Sequence, residues 1–284
     1  MLQTLFRLAA RLPLSWLHAL GAVIGWIAYA FSPSYAARLR ENIRGSKVCE
    51  AADCDQLIRG AVAEAGKGVA EIIALWFAAD DRICGWMHCD TWLVAEQARA
   101  RGRGIVFMTP HLGGFEICAQ YIAQRMPITV MYRPPKLTWL EPLMIAGRSR
   151  WGAAVVPANL KGVRAFFRAL KSGQAVGLLP DQTPGVGEGA WADFFGRPAY
   201  TMTLVTRLQA SAGVPVIMVS AQRLASGRGY QIRFENVAVE NFSETRLNRA
   251  VEDVVRRCPE QYLWGYNRYK TPAGAPPPQT AQPS

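Results

Sequence analysis

The chain has 284 residues, half of them hydrophobic, which is enough to bury the core of a large domain and excludes a linker or a disordered tail. Thirty-two Lys and Arg residues against 21 Asp and Glu residues leave a formal charge of +11, which favours an anionic partner: nucleic acid, anionic lipid or an acidic protein. The charge alone does not choose among these partners.

The N-terminal segment is the first element along the chain. Residues 12–31 contain no Lys, Arg, Asp or Glu and, at about 1.5 Å per residue, could cross most of a hydrocarbon core of about 30 Å. Pro13 and the small and polar residues of this segment also suit a helix that lies in the membrane interface. A cleavable signal is a third interpretation, because "AYA" at 28–30 resembles a cleavage site, but the basic residues that follow would resist export. We interpret residues 1–40 as a membrane anchor helix with a basic flank.

Beyond the anchor, apolar runs alternate with amphipathic helical patterns. The patterns predict helices over 55–79, 91–101, 137–150 and 160–171, and strands over 104–110, 128–134, 153–157 and 175–182. Strands that alternate with helices indicate right-handed crossovers and a mostly parallel sheet. The runs 214–224 and 230–239 predict an antiparallel hairpin that extends this sheet. Asn241 with Glu244 resembles a capping box for a last helix to about Cys258.

The alternation predicts an α/β domain over residues 41–270, with a mostly parallel central sheet flanked by helices and the anchor helix before it. No internal repeat or interdomain linker interrupts this range. The tail over 271–284 is rich in Pro and small residues and is predicted to be disordered.

Six cysteines do not form the disulfide framework of a small secreted protein, so free thiols in a reducing cytoplasm are the simpler expectation. Cys49, Cys54, Cys84, His88 and Cys89 could supply a zinc site, but the usual two-residue spacings are absent. We predict ordinary thiols and no metal.

The stretch "MTPHLGGFEICAQ", residues 108–120, places His111 directly after a predicted strand, at the edge where open α/β sheets bind ligands. Glu116 lies about 140° away on a regular helix, so the pair can meet only if the backbone bends at Gly113 and Gly114. A carboxylate on one ring nitrogen would make the other nitrogen a general base for a hydroxyl. A histidine that caps the helix beside a solvated Glu116 explains the same spacing, and spacing alone leaves both interpretations open.

Basic residues follow the predicted strands on this edge. Arg133, Arg148 and Arg150 could bind phosphate groups, because a guanidinium holds phosphate in a fork. The basic residues within 161–168 are better explained as a solvated helix face. Neither a Walker A loop nor G-x-S-x-G is present, and "GVGEG" lacks the strand-to-helix context of a dinucleotide site, so no nucleotide cofactor or serine nucleophile is indicated.

Several motifs carry a family resemblance. "HLGGFE" (111–116) resembles the H-x4-D/E signature of glycerolipid-type acyltransferases. The stretches that resemble, in order and spacing, the bacterial lipid A secondary acyltransferases are "YRPPK" (132–136), "RSRWGAAVVP" (148–157), "DQTPG" (181–185), "FFGRPAYT" (194–201) and "QYLWGYNRYK" (261–270). Their joint occurrence over roughly residues 20–270 is more specific than the first motif alone.

The resemblance implies a glycerolipid acyltransferase-like fold and an enzyme of the bacterial inner membrane whose catalytic domain faces the cytoplasm. Such an enzyme moves a fatty acyl chain from acyl carrier protein to a hydroxyl of a lipid A precursor, which is an anionic lipid. By motif, His111 is the general base that activates this hydroxyl and Glu116 is its orienting partner, without an acyl-enzyme or a cofactor. The predicted substrate-binding residues are Arg133, Arg148, Arg150 and Asp181.

Two alternatives remain at this point. An acyltransferase for another lipid acceptor, such as a lysophospholipid, an ornithine lipid or a glycolipid, would use the same His111 and Glu116. A membrane-tethered nucleic-acid-binding protein would explain the charge of +11, but the sequence contains no recognisable binding motif, so we expect no nucleic-acid partner.

Overall fold

A seven-stranded sheet forms the centre of the computed structural model, which describes residues 2–278. Its strands are β1 (Met87–Cys89), β2 (Ile105–Met108), β3 (Ile128–Tyr132), β4 (Ala154–Pro157), β5 (Ala175–Leu178), β8 (Val216–Arg223) and β9 (Tyr230–Val237). The order across the sheet is β1-β9-β8-β2-β5-β3-β4, and all neighbours are parallel except β8 and β9. The predicted α/β fold with a mostly parallel sheet is therefore confirmed.

The central strands are covered on both sides, which explains their continuous apolar sequences. All residues of β2 and β5 are buried. Because neighbouring residues of a strand point to opposite faces, Phe107 packs into one core cluster with Phe234, and Met108 packs into another with Phe166. The predicted hairpin is present as β8 and β9, joined through a turn at Ala225–Gly227.

Helices cover both faces of the sheet. They are α1 (Leu2–Ala9), α2 (Leu14–Phe31), α3 (Pro33–Ser46), α4 (Cys54–Phe77), α5 (Asp80–Gly85), α6 (Leu93–Arg99), α7 (Glu116–Ala123), α8 (Glu141–Arg148), α9 (Leu160–Lys171), α10 (Leu204–Ala212) and α11 (Glu244–Arg257). The four helices predicted between the anchor and β5 are all present, and the first of them is the single long helix α4.

Two details differ from the sequence prediction. A separate antiparallel hairpin, β6 (Gly189–Phe194) and β7 (Arg197–Met202), occupies a region where no strands were predicted. The cap of α11 is Ser243, whose hydroxyl accepts from the Arg246 amide at 3.4 Å, because Asn241 lies in a left-handed turn with φ of 53° before the helix.

The cysteines also differ from the prediction. Cys49 follows α3 and Cys54 begins α4, and the short turn between them brings their Cα atoms to 5.4 Å, where they form a disulfide. The alternative zinc set is also dispersed, since Nε2 of the exposed His88 donates to the Arg228 carbonyl oxygen at 3.0 Å, near the β8–β9 turn. Among the described residues, no group of three or more His, Cys, Asp or Glu side chains is arranged to hold a metal.

The predicted tail lies partly outside the described residues, which end at 278. Over 271–278 the chain forms turns without a helix or strand. The Trp191 indole on β6 donates a hydrogen bond to the Pro276 carbonyl at 2.7 Å.

The N-terminal region contains three helices where the sequence predicts one anchor helix and a basic flank. Helix α2 is the apolar segment, and it is long and apolar enough to be a candidate membrane span. One side of α2 packs along α4, with His18, Gly21 and Gly25 buried. The other side leaves large apolar side chains exposed, namely Trp16, Leu20, Val23, Ile24, Ile27 and Phe31. These residues lie at intervals of three, four and seven, which is one continuous helix face.

Glycines allow α2 and α4 to approach closely in an antiparallel pair. A Cβ atom on Gly66 would lie 2.0 Å from the Gly21 carbonyl oxygen and 2.5 Å from the Gly25 backbone nitrogen. Real side chains do not tolerate such distances, so this close approach of the two backbones requires glycine at position 66.

A buried ionic cluster fixes the same helix pair to the sheet. Glu71 of α4 accepts from Arg223 at 2.8 and 2.7 Å and from the Tyr230 hydroxyl at 2.8 Å, and lies 3.2 Å from His18 Nε2. Burial would raise the pKa of Glu71, but the charge and hydrogen bonds of Arg223 and His18 lower it to about 2. The carboxylate is therefore ionised and joins α2 and α4 to β8 and β9.

We predict that Gly66→Ala destabilises the protein by about 1–3 kcal/mol, because the added methyl group forces α2 and α4 apart. Gly68→Ala is the matched control on the same helix, since its Cβ would meet only the Arg223 guanidinium at 3.6 Å. Thermal unfolding of the full chain in detergent measures both. Equal melting temperatures for the two variants would contradict the proposed close contact.

Candidate functional site

Two loops meet at the carboxyl edge of the sheet. Strands β2 and β5 are parallel neighbours, and their last residues, Met108 and Leu178, are paired in register. His111 is the third residue after β2, and Asp181 is the third residue after β5. The adjacent strands therefore bring together two side chains that are 70 residues apart in the sequence.

Asp181 holds His111 through two hydrogen bonds. Its Oδ1 atom lies 2.8 Å from His111 Nδ1, and its Oδ2 atom accepts from the His111 backbone N–H at 2.9 Å. Burial would raise the pKa of Asp181, but attraction to the protonated form of His111 and the hydrogen bonds from His111 lower the pKa below its ordinary value. An ionised carboxylate only accepts, so the arrangement assigns the proton of the neutral ring to Nδ1 and the lone pair to Nε2.

The second ring nitrogen of His111, Nε2, has one side-chain partner among the described residues. The Gln182 amide nitrogen lies 3.1 Å from His111 Nε2 and can donate to its lone pair. The Phe115 ring packs beside the imidazole, with 4.9 Å between ring centroids. The imidazole is thus fixed on one side by Asp181 and carries its lone pair on the other.

The backbone of the His111 loop bends as the glycines predict. Gly113 has a φ of 56°, and a Cβ atom there would lie 2.1 Å from the Ala221 carbonyl oxygen. The Gly114 amide donates to that carbonyl at 2.9 Å, and the Leu263 amide donates to the His111 carbonyl at 3.0 Å. The loop is therefore held between β8 and the C-terminal segment.

Glu116 does not contact His111, in contrast to the sequence prediction. Its carboxylate lies at the start of α7 and forms an ion pair with Arg148, whose Nε atom donates at 2.9 Å. The Trp76 indole also donates to it, at 3.2 Å. The physical reason is that α7 begins at Glu116 and Arg148 ends α8 beside it, while the bend at Gly113 turns the imidazole toward β5.

The charge of this second pair is fixed. Burial would raise the pKa of Glu116, but the Arg148 charge and the hydrogen bonds from Arg148 and Trp76 lower it. Burial also opposes the charge of Arg148, and Glu116 outweighs that effect and raises the Arg148 pKa. The site therefore contains two buried carboxylates, each ionised and each bound to its own cationic or imidazole partner.

The other predicted arginines have different surroundings. Arg133 is exposed and lines the cleft next to His111. Arg150 does not reach that cleft, because its guanidinium donates to the carbonyls of Trp76 and Ala78 at 3.2 and 2.8 Å and pairs with Asp80. Arg150 therefore ties the segment after α8 to the end of α4, and it does not line the cleft as the sequence predicts for a substrate-binding residue.

An open cleft connects these groups and has a volume of about 330 Å³. Its polar lining consists of His111, Glu116, Arg133, Arg148 and Gln182. Its apolar lining includes Ile72, Trp76, Met131, Met144 and Leu179. A smaller cavity of about 40 Å³ lies deeper, between α7 and the sheet, and shares Phe115, Met131 and Leu179 with the cleft. The cleft combines a basic nitrogen, positive charge and apolar walls.

The sequence reasoning missed the contacts that organise the site. Asp181 was assigned to substrate, whereas both of its oxygen atoms bind His111 and its side chain is 2% exposed. Gln182 and Trp76 were not singled out at all. The sequence signal that could have linked them is that each residue shortly follows a short apolar run, 105–108 for His111 and 175–179 for Asp181.

Cys118 on α7 lies close to His111 in the sequence but is buried, at 1% exposure. Burial raises the pKa of its thiol well above the ordinary value, which disfavours the thiolate that a nucleophile needs. Its environment agrees with the interpretation that it is not a nucleophile.

A sequence profile described as "Bacterial lipid A biosynthesis acyltransferase" matches residues 2–271 of this chain. The chain belongs to this family. The match includes the N-terminal helices as well as the site at the sheet edge, so the family resemblance of the motifs is confirmed over nearly the whole chain.

The names of three relatives in this family specify three different acyl groups. The chain is 28% identical over 274 residues to the lipid A biosynthesis palmitoleoyltransferase of Escherichia coli K12, covering 92% of this chain and 87% of the relative. It is 27% identical over 284 residues to the lauroyltransferase of the same organism, covering 95% and 90%. It is 23% identical over 187 residues to the myristoyltransferase, covering 63% and 57%. The chain is thus an acyltransferase of the lipid A type.

Proposed function

We propose that this acyltransferase moves a fatty acyl chain from acyl carrier protein to a hydroxyl group of a lipid A precursor, with His111 as the general base. The observation that carries the proposal is the pairing of His111 Nδ1 with the buried Asp181 carboxylate, which leaves Nε2 at an open cleft. This is the arrangement that a base for a hydroxyl requires.

In the proposed step, His111 Nε2 accepts the proton of the acceptor hydroxyl as its oxygen attacks the thioester carbonyl carbon. The tetrahedral intermediate collapses, the C–S bond breaks, and the leaving thiolate takes the proton back from the imidazolium. Asp181 fixes the tautomer and stabilises the imidazolium between these two transfers. The acyl group passes directly to the acceptor, so no acyl-enzyme forms.

The Glu116–Arg148 pair has a separate role in the proposal. Glu116 holds the Arg148 guanidinium at the cleft, and Arg133 adds a second positive charge on the exposed side. A lipid A precursor carries phosphate groups, which guanidinium groups bind well. We therefore infer that Arg148 and Arg133 bind the acceptor, and that Glu116 positions Arg148 instead of His111.

The reaction tests the proposal directly. Full-length protein in detergent is mixed with acyl carrier protein that bears a labelled acyl chain and with a Kdo-bearing lipid A precursor. The labelled lipid product is then measured. We expect His111→Ala to lower kcat at least about 100-fold, because no other described group is placed to take the hydroxyl proton. His88→Ala is the matched control, since His88 is exposed on β1 and does not line the cleft.

Retention of more than about a tenth of the wild-type rate by His111→Ala would contradict the assignment of the base. A wild-type enzyme that acylates a lysophospholipid or a glycolipid but not the lipid A precursor would overturn the acceptor. An acyl adduct on the enzyme, seen by intact mass after mixing with donor alone, would contradict direct transfer.

We further propose that the protein lies on the cytoplasmic face of the bacterial inner membrane with α2 in the plane of the interface. The buried side of α2 is attached to α4 along its length by the glycine contacts and the His18–Glu71 pair. A transmembrane orientation would draw the charged residues of α4, such as Lys67, toward hydrocarbon, which is costly. An in-plane helix instead buries only its exposed apolar face.

Depth measurements separate the two orientations. Ile24, near the middle of α2, and Phe31, at its end, lie on the same face, and a helix places them about 10 Å apart along its axis. A fluorescent amino acid is placed at one of these two positions at a time. Its quenching in vesicles by lipids brominated at known depths gives the depth of that position in the bilayer. We expect equal depths within about 4 Å, with an exposed Leu93 replacement on α6 as the unquenched control. A difference near 10 Å, with Ile24 close to the bilayer centre, would show that α2 crosses the bilayer.

A further inference from the structure

A ridge of exposed basic side chains runs along two neighbouring helices. It consists of Lys161, Arg164, Arg168 and Lys171 on α9 and Arg207 on α10, and we call it the basic ridge. The α9 residues are spaced by three or four positions, so they share one face, and the opposite face of α9 buries Phe166 and Leu170 in the core.

The basic ridge has no compensating acid of its own. Neither α9 nor α10 contains an Asp or Glu residue, and within residues 2–278 no ridge side chain forms an ion pair. By contrast, Arg256 and Arg257 of α11 pair with acidic neighbours. Like charges at these spacings destabilise a helix, so local stability does not explain the ridge.

The basic ridge begins at the cleft. Ala158, directly before the α9 cap at Asn159, lines the cleft, and so does Leu204, the first residue of α10. Helix α9 follows β4, which ends at the sheet edge where His111 lies, and Met202, the last residue of β7 before α10, also lines the cleft. A partner that lies on α9 and α10 therefore has the mouth of the cleft beside it.

The basic ridge is separate from the apolar face of α2. Helix α2 packs mainly against α4 and α3, whereas α9 packs against β3, β4, β5 and α10. The ridge is also polar throughout its exposed length after Leu160, without the apolar side chains that a helix inserts into lipid. These differences favour a soluble acidic partner over the bilayer.

We infer that the basic ridge is the docking surface for the acidic acyl carrier protein, which binds along α9 and α10 and delivers its thioester into the cleft. The inference rests on the proposed function, because it takes the carrier protein as the acyl donor. Complementary charge along such a surface speeds encounter and fixes the orientation of the partner, and both effects weaken with salt.

The test compares two acyl donors that differ only in the carrier: acylated carrier protein and acyl-pantetheine, which is uncharged. The variant Lys161→Glu/Arg164→Glu should lower the ratio of kcat/KM for carrier to kcat/KM for acyl-pantetheine by roughly tenfold or more. It should also flatten the salt dependence of kcat/KM for the carrier. The matched control is Arg246→Glu/Arg249→Glu, which makes the same charge change on exposed residues near the start of α11.

The outcomes are distinct. An unchanged ratio in the ridge variant, or an equal fall in the α11 control, overturns the docking surface while leaving the carrier as donor. A wild-type enzyme that uses acyl-pantetheine but not the acylated carrier overturns the proposed donor itself. An unchanged ratio together with lost binding to vesicles that contain anionic lipid assigns the ridge to the membrane and overturns the inference.

Discussion

The hydrogen bonds between Asp181 and His111 are the contact on which the site depends. They join the loops after β2 and β5, which are parallel neighbours in register, so the sheet itself sets the distance between the two side chains. One carboxylate oxygen fixes the imidazole and the other fixes its backbone amide, which leaves the ring little freedom to turn. The chemistry that we propose at Nε2 depends on this constraint, because a ring held in this tautomer has its lone pair on Nε2.

Helix α4 connects this site to the exposed apolar face of α2. Its middle carries Gly66 and Glu71, which hold α2, and its end carries Trp76, which donates to Glu116. The same helix therefore positions both the apolar face and the second carboxylate. The two buried carboxylates therefore have different partners: Asp181 binds the imidazole of His111, and Glu116 binds Arg148 at the lining of the cleft.

Much of the fold could be predicted from the sequence, because the buried strands are short apolar runs between clear helical patterns. The β6–β7 hairpin was missed, since its strands mix polar and apolar residues without a clean alternation. The position of His111 followed from the end of β2, but its partner did not: Glu116 is near in sequence, while Asp181 becomes near only through the pairing of β2 with β5. Strand order across a parallel sheet is a tertiary property that local periodicity does not contain.

A double-mutant cycle on His111 and Asp181 tests the central claim most directly. If Asp181 acts through the imidazole, Asp181→Asn should lower kcat at least about 100-fold in the wild-type background, but less than about threefold in the His111→Ala background. Glu116→Gln provides the comparison, since it should lower the residual rate of His111→Ala further. A loss from Asp181→Asn that is equally large with and without His111 would contradict the account.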